Sequence, residues 1–112
     1  MCTQSQLTDI LTQVAQTAKA VFAEHYCEMI LYGSYARGDQ DDESDVDIMV
    51  LADVPIEDLS QYRKMFHTVL DELEFKYDIV VSLVLRDKAT FDRYLDVLPF
   101  YQAVRKEGIS VA

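Results

Sequence analysis

The sequence has no tryptophan, two cysteines, two prolines and three glycines, and its 10 Lys and Arg face 20 Asp and Glu. Each scarcity excludes a class of protein. Cys2 and Cys27 have neither CxxC nor metal-ligand spacing, so the chain is read as a cytoplasmic protein with two reduced thiols, not a disulfide scaffold. A net charge of −10 leaves no broad basic patch for a nucleic-acid backbone or an anionic membrane surface. It leaves open a nucleotide brought to an acidic site by a metal. The most apolar stretch, Ile79 to Leu85, is too short to span a bilayer, and the first residues lack the basic and apolar regions of a signal peptide. With so few glycines there is no GxGxxG and no P-loop lysine motif, which sets aside dinucleotide-binding and kinase-type readings.

What is present suffices for one domain over residues 1–112. Half of the residues are hydrophobic, among them seven Tyr and five Phe. Leu7, Ile10, Leu11, Val14, Ala18, Val21 and Phe22 recur at helical spacing, with Thr3 and Gln6 or Ser5 placed to cap the start. Met29 to Tyr32 reads as a short buried strand that ends at Gly33. A polar turn of Gly, Arg and acids runs from Gly33 to Ser44. Val46, Ile48 and Val50 alternate with Asp45, Asp47 and Met49, the period of a second strand. Pro55 starts a helix whose stripe runs from Leu59 through Phe66 to Leu73. A third strand is expected over Asp78 to Leu85. Asp87 is expected to cap a last helical region, restarted at Pro99 and ended by Gly108. The order α, β, turn, β, α, β, α predicts an α/β (α+β) fold with a small mixed sheet flanked by helices.

The acid is concentrated. Asp39, Asp41, Asp42, Glu43, Asp45 and Asp47 lie within nine residues and carry more than half of the charge excess. The first four fit a solvated loop. An EF-hand starting at Asp39 fails, because its sixth position is Ser44 and its twelfth Val50. Asp45 and Asp47, two apart on a strand, share one face, where they repel unless a cation or proton relieves them. Such hard oxygen ligands suit Mg²⁺ together with substrate phosphates. Gly33-Ser34 stands where a strand gives way to a turn, so its N–H groups and hydroxyl can donate to a phosphate, with Arg37 adding a cation. Asp78, at the start of the third strand, is a candidate third carboxylate. Three carboxylates at one sheet edge can clamp two metals for an in-line phosphoryl displacement.

The run GSYARGDQDDESDVDIMV resembles the signature of the nucleotidyltransferase superfamily with the DNA polymerase β-like palm. In that signature GS is followed by ten residues and then DxD, here Gly33-Ser34 and Asp45-Val46-Asp47. The size and the Pro99 to Gly108 segment resemble its minimal nucleotidyltransferase (MNT) branch. The resemblance implies a palm fold, two Mg²⁺ held by Asp45, Asp47 and Asp78, and the ATP phosphates held by Gly33 and Ser34. It also implies that Arg37 steadies the triphosphate or the leaving pyrophosphate. Many such domains are antitoxins that transfer AMP to a tyrosine of a HEPN-domain toxin. This chain does not resemble the toxin itself, because Arg63 and His67 are separated by three residues where the HEPN signature needs four to six.

The reading is therefore a Mg²⁺-dependent protein AMP transferase that uses ATP and works with a HEPN toxin as partner. Few residues follow Asp78, so the acceptor is expected from a partner chain, with Phe91, Tyr94, Phe100 and Tyr101 as core or as apolar contact. Two alternatives stand beside it: an antitoxin that neutralises by occlusion alone, and nucleotidyl transfer to a small molecule such as an aminoglycoside. His25 and His67 have no matched partners and are read as helix-surface or half-buried residues.

Overall fold

A computed structural model describes residues 2–111. Helix α1 (Gln4–Phe22) opens with a reciprocal cap. Thr3 Oγ1 accepts from the Gln6 N–H at 3.1 Å, and Gln6 Oε1 accepts from the Thr3 N–H at 3.0 Å. Strand β1 (Tyr26–Tyr32) is longer than the apolar run alone, with a register irregularity between Tyr26 and Glu28. A single helical turn, α2 (Ser34–Arg37), separates it from β2 (Val46–Ala52).

The expected helix after Pro55 is broken. It becomes a 3-10 turn over Ile56–Asp58, α3 (Leu59–Arg63), a second 3-10 turn and α4 (His67–Tyr77). Its stripe is kept except at one position: Leu59, Phe66 and Leu73 are buried and Tyr62, Val69 and Leu70 pack against them, whereas Met65 is 57% exposed.

The third strand, β3 (Val81–Asp87), starts three residues later than expected. Asp78 takes the left-handed conformation (φ 49°, ψ 52°) that ends α4, so the chain must first turn back toward the sheet. The strand runs on to Asp87, whose Oδ2 also caps α5 (Lys88–Tyr94) by accepting from the Thr90 N–H at 3.0 Å and its hydroxyl at 2.6 Å. Pro99 restarts the helix as α6 (Pro99–Glu107), and Gly108 caps it. A short strand not foreseen from the sequence, β4 (Ile109–Val111), then pairs with β1.

The sheet order is β3-β2-β1-β4. The β1–β2 and β1–β4 pairs are antiparallel and β2–β3 is parallel. This is the mixed four-stranded sheet flanked by helices that the element order implied. The alternation of β2 divides the core between its two faces. Val46, Ile48, Val50 and Ala52 join α1 and the α3–α4 segment, with Phe22 and Phe66 fully or nearly buried there. Met49 and Leu51 join Phe91, Tyr101 and Val104 of α5 and α6 on the other side. Asp47 has the parity of Met49, so it faces the α6 side.

Helix α6 is tied to the sheet by a two-bond ion pair, Arg105 to Glu28, at 2.9 and 3.1 Å. Helix α1 is tied to α4 by the Tyr77 hydroxyl, which donates to Asp9.

Candidate active site

The end of β1 meets the start of β2 in antiparallel register, with Tyr32 opposite Asp47. Gly33 follows Tyr32 at once and adopts φ +75°, a left-handed conformation that side chains disfavour. Its carbonyl accepts from the N–H groups of Ala36 and Arg37, both at 3.1 Å, which closes the α2 turn. Gly38, again at positive φ, ends it. Tyr35, buried on α2, receives the Cys2 N–H on its hydroxyl at 3.1 Å, which fixes the turn against the N-terminal segment.

A β-carbon built on Gly33 would overlap the Asp47 carboxylate. Only glycine lets the Gly33-Ser34 turn lie against that side chain.

Gly33, Ser34, Arg37 and Asp47 line one wall of a hollow of about 390 Å³, within the range of small-molecule sites. The other wall is Tyr32 with Phe100, Ala103, Val104 and Glu107, the stripe of α6 at positions i, i+3, i+4 and i+7. Asp47 is half-buried. Burial, and then the neighbouring Asp45 carboxylate, push its carboxyl above the usual range, while Arg37 opposes the shift. Burial and the charge of Asp47 push the Tyr32 hydroxyl up as well.

Asp45 and Asp47 thus feel each other, as their spacing implied. A half-buried carboxylate with a like charge beside it is relieved by a divalent cation, and Mg²⁺ is commonly held by one or two carboxylates plus substrate phosphates. The donor pair therefore fits that ion.

Asp78 is placed elsewhere. It is exposed at the end of α4 and lines a second hollow with Asp45 and Glu74, of which Gly33 and Asp47 are not part. The β3 residue in register with Asp47 is Ser82. Among the described residues no three His, Cys, Asp or Glu side chains form a group that could hold a metal ion. The structure brings Gly33, Ser34, Arg37 and Asp47 to one hollow and places Asp45 with Asp78 in the other, with Asp45 still near enough to Asp47 to act on its carboxyl.

Arg37 reaches the hollow already engaged. Its Nε donates to Asp39 at 3.1 Å and its Nη1 to Glu107 at 3.3 Å, and these bonds raise its basicity further. The loop acids serve the turn: Asp41 accepts from the Glu43 N–H at 2.9 Å, and the Ser44 hydroxyl accepts from the Asp41 N–H at 3.0 Å.

The sequence reading missed Tyr32 and Glu107. Tyr32 could have been found from its place just before Gly33 on a strand antiparallel to β2. Glu107 had no local signal, because only the α6 stripe brings it to the site. Phe91 is fully buried and Tyr101 nearly so, while Tyr94 and Phe100 are 40% and 44% exposed. Cys2 and Cys27 are both free, and among the described residues no helix is long and apolar enough to cross a membrane.

Known proteins resemble this chain in sequence and in fold. Residues 16–107 match the family model described as "Nucleotidyltransferase domain". Two proteins of Methanocaldococcus jannaschii, whose names class them provisionally as protein adenylyltransferases, are each 29% identical to the chain. One alignment covers 86% of this chain and 95% of the relative, and the other covers 88% and 90%.

Two solved structures share the fold. A toxin–antitoxin crystallised with AMP-PNP has a TM-score of 0.57 at 22% identity. A mutant of the MntA–HpeT toxin–antitoxin has a TM-score of 0.55 at 17% identity. Each covers 89% of this chain and 70% of the other. With its Gly33-Ser34 turn set against Asp47 and a family match over most of its length, the chain belongs to the nucleotidyltransferase domain family.

Proposed function

We propose that this nucleotidyltransferase moves AMP from ATP to a tyrosine hydroxyl of a HEPN-domain toxin, with Mg²⁺ as cofactor, and so acts as an antitoxin in the cytoplasm. The observation that carries the reading is the contact of the Gly33-Ser34 turn with Asp47, beside Asp45. One short stretch of chain thereby offers phosphate donors and metal-ligating oxygens together. The names of the M. jannaschii relatives favour a protein acceptor. The toxin–antitoxin neighbours favour a toxin as partner, and one of them was crystallised with an ATP analogue.

In this reading Asp45 and Asp47 hold the metal, which when bound neutralises the phosphates and polarises the reacting phosphorus. Exposed N–H groups of the Gly33-Ser34 turn and the Ser34 hydroxyl grip the terminal phosphates. Arg37 exchanges its carboxylate partners for the triphosphate. The acceptor oxygen bonds to the α-phosphorus as the bond to the β-phosphate oxygen breaks. Pyrophosphate leaves and the hydroxyl proton is released. Asp78, which shares a hollow with Asp45 and not with Asp47, is given no ligand role.

Incubation of the protein and its partner toxin with ATP labelled in the α- or the γ-phosphate tests this. Label from the α-phosphate alone should appear on the toxin. Transfer of the γ-label, or no transfer with toxin activity still neutralised, would replace the reading with phosphorylation or with occlusion.

A further inference from the structure

The two walls of the 390 Å³ hollow differ in kind. The donors and carboxylates of Gly33, Ser34, Arg37 and Asp47 account for phosphates and metal. They leave the opposite wall without a role. There Phe100 stands at the start of α6, 44% exposed although it borders the core. Its ring is held on two sides, edge-on by Tyr32 (centroids 5.6 Å apart, planes at 73°) and tilted against Tyr101 (5.9 Å, 46°). The remainder of the ring opens to the hollow. Ala103, one turn along the same stripe, is too small to cover it.

Glu107, the partner of Arg37, closes the stripe seven residues from Phe100, roughly 10 Å along the helix axis. The exposed ring and the Arg37–Glu107 pair thus stand at opposite ends of the α6 stripe, so a ligand that meets both is extended.

We infer that Phe100, braced by Tyr32, is the platform on which the base of the nucleotide substrate stacks. This rests on the nucleotidyl-transfer reading of the same site and adds where the base lies and how it is recognised. Every base offers a π-face, and stacking area is larger for purines. The wall supplies few hydrogen-bonding side chains to read a base edge. The site accordingly favours purine over pyrimidine nucleotides and separates adenine from guanine weakly.

The chain has no tryptophan, which permits a direct test. In Phe100→Trp, the single indole should be quenched by AMP-PNP with Mg²⁺ and left unchanged by inorganic tripolyphosphate, which needs only the polar wall. By calorimetry, Phe100→Ala should bind AMP-PNP about 10-fold more weakly and tripolyphosphate as well as the original chain. Phe100→Tyr should retain AMP-PNP affinity and serves as the folded, aromatic control.

Undiminished AMP-PNP affinity in Phe100→Ala overturns the inference. If that variant also loses transfer, Phe100 and the exposed Tyr94, Val97 and Leu98 nearby contact the acceptor instead. If the original chain binds neither AMP-PNP nor tripolyphosphate, the nucleotidyl-transfer reading fails and the stacking site falls with it.

Discussion

Gly33 and Asp47 occupy each other's van der Waals space so closely that no side chain fits between them. The backbone of Gly33, at φ +75°, is one that an L side chain adopts only with strain. Gly33→Ala therefore carries two penalties, backbone strain and a displaced carboxylate. Transfer should fall about 100-fold, as for other misplacements of a reacting group by about 1 Å. In the Asp47→Ala background most of the steric part disappears with the overlapping carboxylate, so the stability costs of the two substitutions should not add. Denaturant unfolding of the four proteins in that cycle measures the difference.

The carboxylate pair should be a source of instability until a cation arrives. Burial and Asp45 disfavour the ionised form of Asp47. Asp47→Asn should raise the melting temperature of the metal-free protein at neutral pH. Mg²⁺ should stabilise the original chain and not this variant. Asp78 is exposed and apart from Asp47, so Asp78→Asn should keep the Mg²⁺-induced rise in melting temperature. Thermal unfolding with and without Mg²⁺ reads all three.

Arg37 must leave Glu107 to meet a triphosphate, a competition seen in the 3.3 Å contact between them. Both side chains are about two-fifths exposed, so the contact is screened and weak. Glu107→Gln should tighten AMP-PNP binding a few-fold at low salt, and the gain should shrink as salt rises. Calorimetric titration at two ionic strengths provides the check. Unchanged affinity would mean that Arg37 does not meet the triphosphate.

The bond between α6 and the sheet is pH-dependent in a direction that can be worked out. Arg105 holds the Glu28 carboxyl below its usual value of 4.5. A lowered carboxyl pKa gives stability that is fully present above 4.5 and is lost as pH falls through the lower folded value. Glu28→Gln should cost about 1 kcal/mol at neutral pH, allowing for the partial exposure of the pair. The gap between the two proteins should close in acid. Melting temperatures measured from pH 7 downward test it.

Much of the site was legible because its chemistry is local in sequence. Gly33, Ser34 and the Asp45–Asp47 pair lie within fifteen residues, although Asp45 falls just before β2 and lines the other hollow. Thr3, Asp87, Pro99 and Gly108 acted where cap and start chemistry put them.

What escaped depends on distance along the chain. The left-handed turn at Asp78 delays β3 to Val81, an event decided by how α4 ends rather than by its apolar pattern. Strand β4 is three residues long and forms only because β1 offers a free edge. Glu107 reaches Arg37 across seventy residues through the docking of α6. Phe100 could be named from composition, but its exposure follows from which turn of α6 faces the core.

Asp45 and Asp47 are expected to serve the transfer of AMP to a partner protein. Intact-mass measurement of the partner toxin, after incubation with ATP, Mg²⁺ and either the original chain or the Asp45→Asn/Asp47→Asn variant, tests it most directly. The toxin should become heavier by whole AMP units with the original chain and keep its mass with the variant. An unmodified toxin in both samples, or equal modification in both, would contradict it.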